Sequence, residues 1–244
     1  MIKKSLLAIC TVGALSAFAS NTLPTYDEVQ TSLKKVVADK NGGFGLNMWA
    51  SIVDRDGVVK VVTFSGKDRA EQWPGSRAIS AQKANTANAF SLPNLALSTA
   101  NLFTATQPGG SLFGLQFSNP VDTTAAYGGD NEKIGLKNDP MVGKKIGGVN
   151  VFGGGLPLYT KEGKLVGALG VSGDSSCADH NIAWKLRAEL KLDYVPAGIS
   201  ADKNDNIVYD IENGVSKSGW GHPSCAEEST SIAQSFSKTY PTKK

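Results

Sequence analysis

Residues 147–174 read GGVNVFGGGLPLYTKEGKLVGALGVSGD and decide the fold. Two apolar runs, 156–160 and 165–172, flank the turn sequence KEGK, a pattern that predicts a β-hairpin. The second run has almost no polar residue, as expected of a strand that is buried on both faces. Its glycines, Gly167 and Gly170, indicate that another element packs closely against this strand.

A second hairpin is predicted upstream of this block. Runs 46–53 and 58–64 are rich in β-branched and apolar residues, and the sequence DRDG at 54–57 joins them. An Asp-Gly pair between two such runs is a hairpin signal. Two hairpins in one chain favour a mainly antiparallel sheet.

Four helices are predicted around these hairpins. Thr25 and Glu28 have capping-box spacing at the start of the first helix, and Ser176 and Asp179 have it at the start of the last. The second helix is rich in alanine, so its small side chains allow it to lie close to a sheet. The predicted helices are 25–39, 76–90, 95–103 and 176–190.

The remaining segments are irregular. Residues 107–148 are rich in Gly, Asn, Asp and Pro and are interpreted as an insertion, either functional or simply covering the core. The tail, 193–244, is loop-rich with one strand-like piece at 207–209. The expected organisation is one α+β domain over 20–244, with the tail folding back on the last helix.

The N-terminus is interpreted as a signal peptide over residues 1–19. Lys3 and Lys4 precede an uncharged run that ends at the small-x-small sequence Ala-Phe-Ala. The run is about 14 residues, whereas a membrane-spanning helix needs about 20, and no later stretch is apolar enough to span. We therefore expect a bacterial protein that is periplasmic or secreted.

Loss of residues 1–19 changes both the charge and the cysteine count. The formal net charge falls from +3 to +1 because Lys3 and Lys4 leave. A near-neutral chain is not expected to bind nucleic acid, which needs a concentrated basic face. Cys10 also leaves, so the mature chain keeps Cys177 and Cys225.

These two cysteines have two possible roles. Two cysteines in an oxidising compartment most simply form a disulfide. Each also lies three residues from a histidine, because His180 follows Cys177 and His222 precedes Cys225. Such a C-x-x-H and H-x-x-C set matches the four ligands of a tetrahedral zinc, so a zinc-stabilised module stays the alternative.

The last predicted helix places several of these groups on one face. At 100° per residue, Cys177, His180, Trp184 and Arg187 lie opposite its apolar stripe. A disulfide to Cys225 would draw the tail over that face. The result is either a small ligand pocket with two imidazoles or a structural clasp.

Three stretches of the chain carry a family resemblance. They are SIVDRDGVVKVV at 51–62, SAQKANTANAF at 80–90 and the block at 147–174. Over about 25–190 the chain resembles the GlcG/HbpS family of haem-binding proteins, also called DUF336 or haem-degrading domains. The resemblance implies a profilin-like single antiparallel sheet flanked by helices, assembly into homo-oligomers, and haem as the cofactor.

Haem chemistry then selects candidate residues. Haem iron takes His, Cys, Met or Tyr as axial ligand, and with the cysteines oxidised the candidates are His180 and His222. Trp184 is expected beside them in the pocket. The fallback ligands are Met48, Met141 and Tyr127. The candidate cations for the haem propionates are Lys83, Arg77 and Arg187.

The function predicted from these observations is haem sensing, storage or scavenging without turnover. No G-x-S-x-G elbow and no convincing Ser-His-Asp set occurs in the sequence, which favours binding over catalysis. An enzyme that acts on haem or on a small organic substrate is the alternative, as is an interaction module.

Overall fold

The computed structural model describes residues 23–243, so the predicted signal peptide lies outside the described residues. Among the described residues no helix is both long and apolar enough to cross a membrane. The α-helices are α1 (Tyr26–Val37), α2 (Ser76–Phe90), α3 (Phe103–Thr106), α4 (Leu115–Ser118), α5 (Thr123–Tyr127), α6 (Ser176–Glu189) and α7 (Glu227–Thr239). The strands are β1 (Trp49–Asp54), β2 (Val59–Phe64), β3 (Gly155–Tyr159), β4 (Leu165–Ser172), β5 (Ile211–Glu212) and β6 (Val215–Ser216).

Both predicted hairpins are present in one four-stranded sheet. The strand order is β2-β1-β4-β3, and every pairing in it is antiparallel. Helices pack on the sheet, so the predicted α+β class is confirmed. The tail adds a separate two-stranded ribbon of β5 and β6 outside this sheet.

The alanine-rich helix α2 lies directly on β4, as its small residues predict. A Cβ at Gly170 would lie 1.8 Å from the Ser80 carbonyl oxygen, so only glycine permits this approach. Ser51 Oγ of β1 lies 2.7 Å from Ser80 Oγ across the same contact. The helix and sheet backbones are therefore in van der Waals contact at this point.

The sheet separates two apolar layers because neighbouring strand residues point to opposite faces. In β1, Ala50 and Ile52 face the layer that contains α1 and α6. Trp49 and Val53 face the layer that contains α2 and parts of the insertion. Strand β4 lies between the same two layers, so both of its faces are buried, which explains why it has almost no polar residue.

The predicted insertion, 107–148, covers part of the α2 layer. Ala125, Met141 and Ile146 from this segment are buried against α2 and the sheet. Asp139 anchors the segment because it accepts hydrogen bonds from the backbone N–H groups of Gly135 and Met141. An irregular segment thus contributes to the core and holds a defined shape.

The tail contains a helix that the sequence reading did not predict. Helix α7 packs on α6, and Phe236 stacks on Trp184 with ring centroids 5.4 Å apart. The strand predicted at 207–209 is not formed, because this segment bonds to α6 instead, as in the contact of Ile207 N with His180 Nε2.

Two helix starts also differ from the predictions. The helix expected at 95–103 begins with a 3₁₀ turn at Thr99 and continues as α3. At α6 the cap is Ser175, whose Oγ accepts from the backbone N–H of Ala178. Ser176 and Asp179 therefore do not form the predicted capping box, which leaves their side chains free for the contacts described below.

Candidate functional site

The two mature cysteines form a disulfide in the structure. The Sγ atoms of Cys177 and Cys225 are 2.05 Å apart and join the first turn of α6 to the segment just before α7. The described residues contain no group of three or more His, Cys, Asp or Glu placed to hold a metal ion. The structure therefore favours the disulfide over the zinc alternative, which needs both sulfurs as ligands.

His180 is fully buried on α6. Its Nε2 accepts a hydrogen bond from the backbone N–H of Ile207 at 3.1 Å and lies 3.1 Å from Asn206 Oδ1. Its Nδ1 has no hydrogen-bond partner among residues 23–243. Burial lowers the pKa of His180 to about 4, so the ring is neutral at pH 7.

His222 is also buried and hydrogen-bonded at both ring nitrogens. Its Nε2 lies 2.8 Å from Ser176 Oγ, and its Nδ1 lies 2.7 Å from the carbonyl oxygen of Pro223. Phe103 packs against the ring at a centroid distance of 5.0 Å. Burial lowers the pKa of His222 to about 4, which again gives a neutral ring.

Arg187 and Trp184 lie in the same layer of the molecule. Arg187 forms a two-pronged ion pair with Asp205, with N–O distances of 2.6 and 2.8 Å, and both side chains are excluded from solvent. Its guanidinium lies 4.7 Å from the centre of the Trp184 ring. Trp184 Nε1 donates to the carbonyl oxygen of Tyr240 at 3.0 Å.

We call this region the clasp. It consists of the α6 residues Cys177, His180, Trp184 and Arg187 together with the tail residues described above, which are Asp205, Ile207, His222, Cys225 and Phe236. The structure brings these four predicted site residues together, as α6 geometry indicates. Trp220 does not cover them but packs with Leu97 and Val151. None of the cavities described below is lined by a clasp residue.

Lys83, predicted to bind a propionate, is buried in an ion pair instead. Its Nζ lies 2.6 Å from Asp179 Oδ2 and donates to the carbonyl oxygen of Val171 at 3.1 Å. Burial raises the pKa of Asp179 to about 6 even though Lys83 acts in the opposite direction. The pair ties α2 to α6 past the end of β4.

Arg77 has a different environment from the other predicted cations. It pairs with Asp139, with N–O distances of 2.5 and 2.9 Å, and donates to the carbonyl oxygen of Ala126. Its side chain also lines an open cleft of about 360 Å³. Tyr127, one of the fallback iron ligands, lines the same cleft.

We call this feature the Trp49 cleft, because the buried indole of Trp49 lines it. It lies between the segment around Arg69 and the insertion that carries Tyr127. Its lining residues are Trp49, Asp68, Arg69, Ala70, Pro74, Arg77, Tyr127, Asn131 and Ile134. Of the residues proposed from sequence, the cleft brings together Arg77 and Tyr127 only.

The two fallback methionines lie in the core. Met48 and Met141 are both fully buried, Met48 in the α1 layer and Met141 in the α2 layer. Neither lines a cavity described here. Their thioethers therefore pack against apolar neighbours, as buried methionines commonly do.

The acidic partners of the buried cations were not predicted from the sequence. Asp139, Asp179 and Asp205 each neutralise one predicted cation, at sequence separations of 62, 96 and 18 residues respectively. The cleft residues Trp49 and Arg69 were not predicted either. A buried basic residue on a helix predicts an acidic partner, but a single sequence does not identify which acidic residue that partner is.

A helix-flanked antiparallel sheet with this topology defines an α+β domain. The family model described as "Haem degrading protein HbpS-like" matches residues 25–187, which include the whole four-stranded sheet, α1, α2 and nearly all of α6. The chain therefore belongs to the HbpS-like family. No curated protein matches it.

Three solved structures are similar to the chain. Klebsiella pneumoniae protein ORFY, of family DUF336, is 24% identical with a TM-score of 0.45, and the alignment covers 67% of this chain and 86% of the ORFY chain. The chain in the "PduOC:Heme Complex" is 25% identical with a TM-score of 0.45, covering 67% and 89%. A double mutant of Streptomyces reticuli HbpS is 18% identical with a TM-score of 0.41, covering 76% and 97%.

Proposed function

We propose that this protein binds haem in the periplasm or outside the cell and does not turn it over. Membership of the HbpS-like family, described as haem-degrading, is the observation that carries the haem assignment. The predicted signal peptide supports export. Binding without turnover is supported by the sequence, which contains no G-x-S-x-G elbow.

The residues present fit haem at the level of ligand chemistry. Haem iron accepts a histidine or tyrosine ligand, and bound haem would supply a redox-active iron. His180 and His222 stay predicted ligands, but each must leave an internal hydrogen bond and a buried position to reach iron. Tyr127 is 64% exposed and needs no such rearrangement.

The largest cavity described is a poor match for the haem propionates. It has a volume of about 740 Å³ beside α1, and its ionisable lining residues are Asp27, Glu28, Glu189 and Lys191. Three carboxylates against one lysine disfavour a ligand that is itself a dicarboxylate. The Trp49 cleft is less acidic, because its charged lining residues are Arg69, Asp68 and Arg77, the last of which is paired with Asp139.

Haem titration of the oxidised mature chain tests the proposal. We expect a saturable Soret band, and recovery of unchanged haem after incubation with ascorbate and oxygen. His222→Gln and Tyr127→Phe form a matched pair, because each removes one candidate ligand atom with little change in shape. Absence of saturable binding would refute the proposal.

Haem degradation is the second candidate because the family description names it. In that case the same incubation with ascorbate and oxygen converts haem into an open tetrapyrrole and releases iron. Product analysis by absorbance and mass spectrometry separates the two candidates, since a binding protein returns intact haem.

Export and assembly have their own tests. If the signal peptide is removed after Ala19, N-terminal sequencing of protein from the periplasm or medium gives Ser20 as first residue. Homo-oligomer formation, which the family resemblance implies, is measured by light scattering with and without haem. A cytoplasmic product that retains Met1 would contradict the export proposal.

A further inference from the structure

The Trp49 cleft has the construction of a ligand pocket. Its volume of about 360 Å³ lies in the range of small-molecule sites. Apolar surface is provided by Trp49, Pro74, Tyr127 and Ile134. The exposed ring of Tyr127 suits a flat partner, because ring stacking adds to the burial of apolar area.

The floor residue of the cleft contains a buried hydrogen-bond donor with no acceptor. Trp49 is 1% exposed, and its indole Nε1 has no partner among the described residues. Leaving such a donor buried and unpaired is unfavourable, by about 1–3 kcal/mol in typical cases. The other buried indole, that of Trp184, donates to the carbonyl oxygen of Tyr240. Other buried polar atoms among the described residues also lack a partner, such as Arg187 Nε, but of these residues only Trp49 lines the cleft.

Cationic groups lie at the same cleft. Arg69 is exposed, and one of its nitrogens donates to the Asn131 carbonyl oxygen, which holds the side chain across the opening. A guanidinium has five N–H donors, so most of those of Arg69 stay free for a ligand. Arg77 is buried at the cleft but is already neutralised by Asp139.

We propose that the Trp49 cleft binds a flat aromatic carboxylate, with the ring system packed against the exposed ring of Tyr127 and the carboxylate held by Arg69. A small outward shift of the cleft wall on binding then lets a ligand acceptor reach the Trp49 indole N–H, which is closed off from solvent in this structure. A whole haem is larger than this cleft, so haem would insert one propionate-bearing edge. A smaller aromatic acid would be enclosed.

Haem and a smaller aromatic acid would be recognised by the same contacts. Only the assignment of haem as the ligand rests on the proposed function. Three probes separate them: haem, iron-free protoporphyrin IX and 1-naphthoate. The uncharged 1-naphthalenemethanol, which keeps the ring but lacks the carboxylate, is the matched ligand control.

Nuclear magnetic resonance of the tryptophan indoles reads out the site directly. The chain has four tryptophans, so ¹⁵N labelling gives four indole N–H signals, and Trp49→Phe assigns one of them. On addition of 1-naphthoate we expect the Trp49 signal to move downfield and its hydrogen exchange to slow. The Trp184 signal is the internal control and stays in place, because that indole already donates to Tyr240.

Two substitutions on exposed residues test the pocket without disturbing the core. Arg69→Gln should weaken 1-naphthoate binding about tenfold, a typical effect of losing a charge-assisted hydrogen bond. Ala70→Phe fills the cleft and should abolish binding. Ala201→Phe introduces the same side chain in an exposed turn of the tail and should bind as the wild type does.

The outcomes are distinguishable. A shift of the Trp49 signal that Ala70→Phe removes and Ala201→Phe retains supports the inference, whether or not haem also binds. If haem gives the same Soret titration in Ala70→Phe and in wild type, and no probe moves the Trp49 signal, the inference is wrong while the proposed function stands. If 1-naphthoate moves the Trp49 signal and haem shows no saturable binding to the protein, haem binding fails as a function and the inference stands.

Discussion

The clasp and the Trp49 cleft contain similar residue types in opposite states. In the clasp, Arg187 is excluded from solvent and paired with Asp205 through two of its three nitrogens, and the indole of Trp184 has its acceptor, but no cavity described here reaches these groups. In the cleft, Arg69 is exposed with donors to spare, and the indole of Trp49 has none among the described residues.

This difference separates a structural role from a binding role. Polar groups that satisfy each other inside the protein contribute to stability, and a ligand must break those contacts before it can use them. Groups that the fold leaves unsatisfied beside an open cavity can gain a partner on binding. Substitutions in the clasp should therefore affect the free energy of unfolding, and substitutions in the cleft should affect ligand affinity.

The largest expected effect is that of Arg187→Met. The change leaves Asp205 buried without its partner, which should lower the free energy of unfolding by up to about 5 kcal/mol. Lys217→Met is the matched control, because Lys217 and Glu212 form a 2.6 Å pair that is about two-thirds exposed. Urea denaturation should show little change for that control, and equal losses in both variants would contradict the structural role of the clasp.

Reduction of the disulfide should have the next largest effect. The cysteines are 48 residues apart, and a loop of that length corresponds to about 4 kcal/mol in the chain-entropy model. Denaturation of Cys177→Ser, Cys225→Ser should match that of the reduced wild type. If the oxidised and reduced proteins unfold at the same urea concentration, the tail does not depend on this bond.

Acid should destabilise the clasp through its histidines. Their pKa values of about 4 lie below the ordinary 6.5, so the folded state takes up protons later than the unfolded state. Their contribution is complete above pH 6.5 and is lost as pH falls toward 4. Asp179 acts in the opposite direction, because its pKa is raised to about 6 and the folded state takes up its proton first.

On acidification the two histidines destabilise the folded state and Asp179 stabilises it. The free energy of unfolding should therefore fall by about 3 kcal/mol between pH 7.5 and 4.5. Urea titrations at the two pH values measure this loss. His222→Gln removes one of the three titrating groups and should reduce the loss clearly. A variant whose loss equals that of the wild type would show that His222 titrates normally in the folded protein.

The smallest effect on stability is expected in the cleft. Tyr127→Ala removes a ring that is 64% exposed, so the free energy of unfolding should change by no more than about 0.5 kcal/mol. Tyr159→Ala is the matched control, since Tyr159 is fully buried and donates to the carbonyl oxygen of Leu92 at 2.6 Å. It should cost several-fold more, about 3 kcal/mol or above. Thermal unfolding compares the two, and a large loss for Tyr127→Ala would remove the distinction between cleft and clasp.

Local sequence patterns predicted the sheet and three of the longer helices. The hairpins were readable because apolar runs and turn residues alternate over short distances, and Gly170 marked the contact with α2. Helix α7 was missed because serine and threonine fill much of it. Its stability comes from packing of Phe236 on Trp184, which a local pattern does not contain.

The candidate sites were less predictable than the fold. The disulfide could be predicted from the number of cysteines, since two remain in the predicted mature chain. The pairing of Lys83 with Asp179 joins residues 96 positions apart and depends on how α2 and α6 cross the sheet. Trp49 and Tyr127 line the same cleft because the insertion, which carries Tyr127, folds against the α2 layer.

The disulfide also determines how the protein responds to a protease. The long irregular stretch between α6 and α7 is the natural place for a cut, and it lies between Cys177 and Cys225. A single cut there leaves α7 covalently attached through sulfur. The nicked molecule would migrate as one species on a non-reducing gel and separate into two fragments only after thiol treatment.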